Sequence, residues 1–182
     1  MKYIIFDLEA TCWEKGKKYE NETIEIGALL VNEEKEIVSE FQRFVKPLRF
    51  PILSDFCKEL TSISQQQVDE ATHFYEAIEE FKQWFDWEKE DYLLCSWGFY
   101  DRKQLEQDSA LNSLKIDWIE QHISLKHQHR DIRNLRRPMG MKRALQLEGI
   151  ELKGVHHRGI DDARNIAKIF VKYFDKWKQP EL

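Results

Sequence analysis

The chain has 182 residues, 42% hydrophobic and 13% aromatic against 34% charged, enough for one domain with its own core and too apolar for a disordered segment. No apolar run approaches the ~18 residues of a membrane span and the N-terminus enters a strand without a signal-peptide pattern, so a cytoplasmic protein with no membrane partner is expected. The net charge of −5 argues against a surface that binds nucleic acid everywhere. Cys12, Cys57 and Cys95 form no C-x-x-C pair and imply neither a disulfide framework nor a zinc ribbon.

In chain order, KYIIF reads as a buried strand, the polar EKGKKYENE (14–22) as a turn, and TIEIGALLVN as a second strand. NEEKE makes a tight link to EIVSEFQRFVKP, a third strand that stops at Pro47, so the first three strands form an antiparallel meander. Ser64 and Gln67 have capping-box spacing at a helix start, and Phe74, Ala77, Ile78, Phe81 and Phe85 predict an amphipathic helix over 73–86. YLLCSW (92–97) is a buried strand, YDRKQLEQDSALNSL a helix, and HISLKH a short final strand. MKRALQLEGI predicts a helix closing near Gly149, and Ile160, Ala163, Ile166, Ala167, Phe170, Phe174 and Trp177 predict a terminal helix. No repeat or linker interrupts the pattern, so residues 1–182 read as a single α/β domain.

Charge is unevenly spread. From Lys126 to Arg143 there are seven basic residues and one acid, Asp131, so the segment carries about +6 and leaves the remainder near −11. That asymmetry suits a local footprint for a phosphodiester backbone or a solvated loop, and both readings stand. On the first, Arg136 and Arg137 strengthen binding; His127 and His129 read as solvated.

Three places carry acids that could act together. In FDLEAT, Asp7 and Glu9 project to the same side of a strand, roughly 6–7 Å apart, where two like charges resist burial. Asp101 opens the helix after YLLCSW, where an acid also suits the helix dipole. In HHRGIDDARNIA, His157 precedes Asp162 by five residues, while His156 and Asp161 are their neighbours and Asp161 can serve as a cap. Four carboxylates from separate places suit hard, oxygen-seeking Mg²⁺ or Mn²⁺ ions, and two such ions can activate water against a phosphodiester. A histidine, with a pKa of about 6.5, suits removal of the water's proton.

With FDLEAT, SWGFYDRKQL and HHRGIDDARNIA in this order, and five residues from His157 to Asp162, the sequence resembles the DEDDh 3′–5′ exonucleases, which include RNase T and the proofreading exonucleases. FDLEATCWE, LSDFCKELTSISQQQVDEA (53–71) and HRGIDDARNIA are most similar to the Eri-type exoribonucleases. The resemblance implies a ribonuclease-H-like fold with a mixed five-stranded sheet flanked by helices. It also implies that Asp7, Glu9, Asp101 and Asp162 ligate two divalent cations, Mg²⁺ or Mn²⁺, and that His157 is the general base. Ala10, Thr11, Trp13, Leu60, Thr61, Phe99 and Tyr100 are the implied contacts to the substrate. The implied partner is nucleic acid, a single-stranded RNA 3′ end that is trimmed to nucleoside 5′-monophosphates. Single-stranded DNA is the alternative, and a nucleic-acid-binding regulator with incidental hydrolysis is the reading from a different class.

Overall fold

The sheet is built around its first strand. In the computed structural model, which describes residues 1–15 and 20–180, β1 (Lys2–Ala10), β2 (Thr23–Val31), β3 (Ile37–Phe44), β4 (Tyr92–Ser96) and β5 (His122–Ser124) lie in the order β3-β2-β1-β4-β5. β2 is antiparallel to β1 and to β3, whereas β4 runs parallel to β1 and β5 parallel to β4. The mixed five-stranded sheet expected from the sequence is therefore present. The polar turn expected over 14–22 lies partly outside the described residues.

Strand alternation sends β1 to two different cores. Ile4, Phe6 and Leu8 join a cluster with Phe74, Ala77, Ile78 and Phe81 of helix α3 (Phe74–Trp84). Ile5 faces the other way, toward Ile166, Ile169 and Phe170 of helix α7 (Gly159–Lys172). Burying each of these large side chains contributes roughly 1.5–3 kcal/mol, so both faces of the sheet are sealed. Asp7 and Glu9 share the parity of Ile5 and therefore emerge on the α7 face, at the C-terminal end of β1. Beyond the carboxyl ends of parallel strands is where open α/β sheets place ligands.

On β2 the same parity brings Glu25 and Gly27 under the start of α7. Gly27 is required by close approach: a Cβ there would lie 2.1 Å from the Ile160 backbone nitrogen. Any side chain at position 27 would lift α7, and Asp162 with it, off the sheet.

The remaining helices are α1 (Asp55–Thr61), α2 (Gln65–Asp69), α4 (Tyr100–Leu111), α5 (Leu125–Ile132) and α6 (Met141–Glu148). α2 starts at the expected capping box, in which Ser64 Oγ accepts from Gln67 N at 3.2 Å and Gln67 Oε1 accepts from Ser64 N at 2.8 Å. α6 closes at Gly149, which takes the left-handed conformation at φ +65°. No helix among the described residues is long and apolar enough to cross a membrane.

Three expectations are corrected. HISLKH is a strand only to Ser124, where pairing with β4 ends, and the basic stretch after it is helical at its two ends, in α5 and α6, with a turn over 133–140 between them. α5 forms because Leu125 and His129, one turn apart, are both buried. His129 is therefore not solvated; it is 1% exposed, and its Nε2 lies 2.9 Å from Glu148 Oε1. The terminal helix stops at Lys172, after which a 3₁₀ turn over Phe174–Lys176 folds Trp177 back so that its Nε1 donates to Phe170 O at 2.8 Å.

Candidate active site

Asp7 and Glu9 meet Asp162 above the C-terminal end of β1, where one carboxylate oxygen of each lies within 4.8 Å of the others. Asp162 arrives on the first turn of α7. Asp101 arrives on the first turn of α4, which leaves the adjacent parallel strand β4, and its Oδ1 accepts from Leu8 N at 3.2 Å. That bond ties α4 to β1 midway between Asp7 and Glu9. Asp101 is thus aimed across the sheet end as well as serving the first turn of its own helix.

The turn before α7 is held by Glu25, which is fully buried. Its carboxylate accepts from Gly159 N at 2.9 Å, from Arg158 Nε at 3.1 Å and from Gln42 Nε2 at 2.7 Å. The first backbone donor of α7 is so satisfied by an acid from β2, and Arg158 neutralises that acid. Asp161 does not cap α7; its Oδ2 accepts from Val155 N at 2.9 Å and closes the preceding loop. His157 adopts φ +66°, an uncommon backbone for a non-glycine residue, and turns into the cleft. His156 stacks on it with ring centroids 4.0 Å apart, and its Nδ1 lies 2.9 Å from Asp162 Oδ2. His156 is a neighbour of the candidate base that the sequence could only name; here it orients a carboxylate.

The electrostatics of the four acids share one cause. Burial pushes Asp7 well above the usual carboxylate range, and the negative charges of Asp101, Glu9, Asp162 and Glu25 push it further. Burial and the charges of Asp162, Glu25 and Asp101 raise Glu9 to about 9. Burial also raises Asp101, to about 6, although the Leu8 N–H holds it down. Asp162 is raised by burial against the pull of His156. Among the described residues, the only ion pair any of the four makes is that of Asp162 with His156. Hard oxygen donors, crowded and paired with no lysine or arginine among the described residues, are the chemistry of a divalent cation site, so the residues present fit one.

The cleft over these acids has a volume of about 690 Å³. Asp7, Glu9, Asp101, His157 and Asp162 all line it, and so does Tyr100, which is half exposed at the start of α4. The other implied substrate contacts are not among the residues that line it. Thr11 and Thr61 are buried: Thr11 Oγ1 accepts from Glu22 N at 3.0 Å, and Thr61 Oγ1 donates to Cys57 O at 2.8 Å. Their hydroxyls are committed to these bonds inside the fold. Ala10 is buried, and Trp13 packs edge-on against Phe50. Leu60 is on the outer face of α1, and Phe99 stacks on His127 at 4.9 Å. The opposite wall brings in Lys126, Lys142, Arg143 and Gln146 from α5 and α6. Their charge was visible in the basic stretch, but not which of its members face the cleft.

Comparison with known proteins agrees with this geometry. The sequence profile of the RNase T exonuclease family matches residues 4–170. ERI1 exoribonuclease 2 of Xenopus laevis is 37% identical over 196 residues, covering 91% of this chain and 27% of that protein. The 3′–5′ exonuclease eri1 of Schizosaccharomyces pombe is 30% identical over 93% of this chain and 66% of its own length. The chain thus spans about a quarter to a third of the length of the vertebrate ERI1 exoribonuclease 2 proteins it matches. Among solved structures, the nuclease domain of 3′hExo, a DEDDh family member bound to rAMP, superposes with a TM-score of 0.93 at 30% identity, over 99% of this chain and 96% of that one.

Proposed function

This chain belongs to the RNase T family of exonucleases, and from that premise we propose that it removes nucleoside 5′-monophosphates one at a time from the 3′ end of single-stranded RNA. The observation that carries the reading is the meeting of Asp7, Glu9 and Asp162, with Asp101 in the same cleft and no lysine or arginine paired to any of the four among the described residues, beside a cleft-facing histidine. Asp7, Glu9, Asp101 and Asp162 would hold a pair of divalent cations, Mg²⁺ or Mn²⁺. Bound there, such ions supply Lewis acidity, lowering the pKa of water and offsetting charge on the phosphoryl oxygens.

The chain's own residues do the rest. Leu8 N fixes the rotamer of Asp101, and His156 with the His157 backbone N–H fixes that of Asp162, so the acids are oriented before substrate arrives. Burial and the neighbouring His156 lower the pKa of His157, which keeps its imidazole neutral and able to accept a proton near pH 7. His157 takes one proton from a water molecule as the water oxygen bonds to phosphorus. The bond from phosphorus to the 3′-oxygen of the penultimate nucleotide breaks, and that oxygen gains a proton to become the new 3′-hydroxyl. The terminal nucleoside leaves as its 5′-monophosphate. Tyr100 offers a ring on which a base can stack, a contact typically worth about 1–3 kcal/mol and indifferent to sequence.

The test is digestion of a 5′-labelled single-stranded RNA with Mn²⁺. A ladder shortening from the 3′ end, abolished by chelation, is the expected result. Internal cuts in a circular RNA would overturn the exonuclease assignment, and equal or faster loss of the matching DNA would overturn the preference for RNA.

A further inference from the structure

A pair of thiols sits just past the acidic end of β1 and takes no part in the chemistry derived above. We propose that Cys12 and Cys57 form a reversible oxidation site: a low-molecular-weight disulfide converts the two thiols into one intramolecular disulfide, and closing that bond slows the enzyme. The pairing stands on its own, whereas the effect on turnover rests on the exonuclease reading above.

The two residues are far apart in sequence and adjacent in the fold. Cys12 lies in the loop after β1, and Cys57 in the first turn of α1. One hydroxyl joins their backbones: Ser54 Oγ donates to Cys12 O at 2.6 Å and accepts from Cys57 N at 3.0 Å. The thiols themselves are hydrogen-bonded to each other, and the Cys12 N–H also points at the Cys57 sulfur. Ile24, Leu53, Ile63 and Val68 close a small apolar core around Cys57, and Cys12 packs against it. Cys95, by contrast, is buried in the core beneath α7.

Exposure differs across the pair, and that sets the order of events. Cys57 is fully buried and Cys12 half-buried, so Cys12 is the sulfur that meets a reagent from solution. The hydrogen bond from the Cys12 thiol outweighs burial and, with the Cys12 N–H, lowers Cys57 to about 7, so the pair shares one proton near neutral pH. Cys12 Sγ attacks one sulfur of the external disulfide while its proton passes to Cys57 Sγ, and a first small thiolate leaves. Cys57 Sγ then gives that proton to the departed thiolate, bonds to Cys12 Sγ and expels the second. Two electrons pass to the external disulfide, and on balance one S–S bond replaces another. With one sulfur near the surface the new bond stays open to reduction.

A covalent bond is shorter than the hydrogen bond it replaces, so closure draws the chain at Cys12 toward α1. Cys57 Sγ also stops donating to Ala10 O, 3.8 Å away in the reduced protein. Both changes act at the end of β1, where pairing with β2 already shifts register between Glu9 and Ala10. Glu9 is therefore the acid of the cleft that moves.

The experiment treats the reduced protein, with Mn²⁺ present, with oxidised glutathione and maps its tryptic peptides without reduction. Peptide 3–15 should appear joined to peptide 50–58 with no glutathione retained, and Cys95 should stay free. Cys12→Ser should form neither cross-link nor adduct, and Cys57→Ser should hold glutathione on Cys12. Turnover of single-stranded RNA should fall about tenfold on oxidation, short of the ~10²-fold that a misplacement of about 1 Å can cost, and return with dithiothreitol. Cys12→Ser should keep its activity in oxidised glutathione. A wild-type adduct without a cross-link, a cross-link between two chains, or an unchanged rate in the fully cross-linked protein would overturn the proposal. Were the reduced wild type to cleave no RNA, the exonuclease reading would fall, and the peptide map would still decide the pair.

Discussion

Two buried acid sites in this molecule have opposite fates. Glu148 has surrounded itself with donors: His129, Arg133, Lys172 and Tyr173 all reach its carboxylate. Burial alone would push its pKa up, but the hydrogen bonds from Lys172, Tyr173 and His129 outweigh that and pull it to about 2. Asp7, Glu9 and Asp162 come within 4.8 Å of one another, Asp101 lines the same cleft, and the pKa values of all four move up. A fold that can satisfy one carboxylate four times over leaves four others without a lysine or arginine among the described residues. An acid that serves the structure brings its countercharge with it; these four leave that place for something from solution.

The largest effect should come from Asp7. Asp7→Asn keeps the shape and removes one like charge, so kcat is expected to fall by about 10³-fold or more on single-stranded RNA. The same change should raise the melting temperature of the metal-free protein, because it relieves repulsion in a crowded site. Activity assays and calorimetry on one preparation check both; a variant both inactive and less stable would mean that Asp7 serves the fold.

Glu148→Gln should do the reverse. The amide oxygen can accept from Tyr173 or from His129 but not from both, because they bond to different oxygens of Glu148, and the charge that Lys172 and Arg133 answer is gone. A loss of about 3 kcal/mol in denaturant unfolding is expected, lower than for a fully buried pair because both cations reach solvent. KM for RNA should rise with it, since α5 and α6 lose their common anchor, while kcat changes less.

Acidity separates the two sites by sign. Glu148 has a depressed folded pKa, so its contribution is present above the ordinary carboxylate value near 4.3 and is lost as pH falls through about 2. Asp101 and Glu9 have raised folded values, so the protein gains from their protonation below about 4 and loses that gain as pH rises through about 6 and then about 9. The chelated protein should therefore melt at a lower temperature at pH 8 than at pH 5. Adding Mn²⁺ should restore stability more at pH 8, by about 2.7 kcal/mol at a hundred times its dissociation constant. An equal response at both pH values would show that the four acids are not where the ion binds.

Little of this contrast was legible in the sequence, although the parts were. Periodicity located β1, β2, β4, α3, α4, α6 and α7, and alternation already put Asp7 and Glu9 on one side of a strand. It could not say which side, because that depends on α7 packing against Ile5 and not against Ile4. α1 escaped notice because its seven residues bury only Cys57 and Thr61, too few to show a period. α5 escaped because its second anchor is a histidine, buried through a carboxylate 19 residues away. Glu25 and Glu148 looked like ordinary acids for the same reason: Arg158 is 133 residues from Glu25, and Lys172 is 24 residues from Glu148. Charge type is local information, whereas the presence of a countercharge is a property of the folded chain.

Asp108 lies between the two extremes and gives the finest test. It is 2% exposed on α4 and accepts from Thr23 N at 3.0 Å, Thr23 Oγ1 at 2.6 Å and Gln104 Nε2 at 3.0 Å, all neutral donors. Burial raises its pKa, and the hydrogen bonds from Thr23 and Gln104 only partly offset that. If countercharge is what distinguishes a structural acid, neutral donors should be worth little more to a charge than to an amide of the same shape. All three donors converge on Oδ2, so Asp108→Asn can keep them with its amide oxygen in that place. Stability at pH 7 should change by less than about 1 kcal/mol, with activity retained. A loss as large as that of Glu148→Gln would show that neutral hydrogen bonds alone suffice to hold a buried carboxylate. Lack of countercharge would then no longer mark the four acids of the cleft.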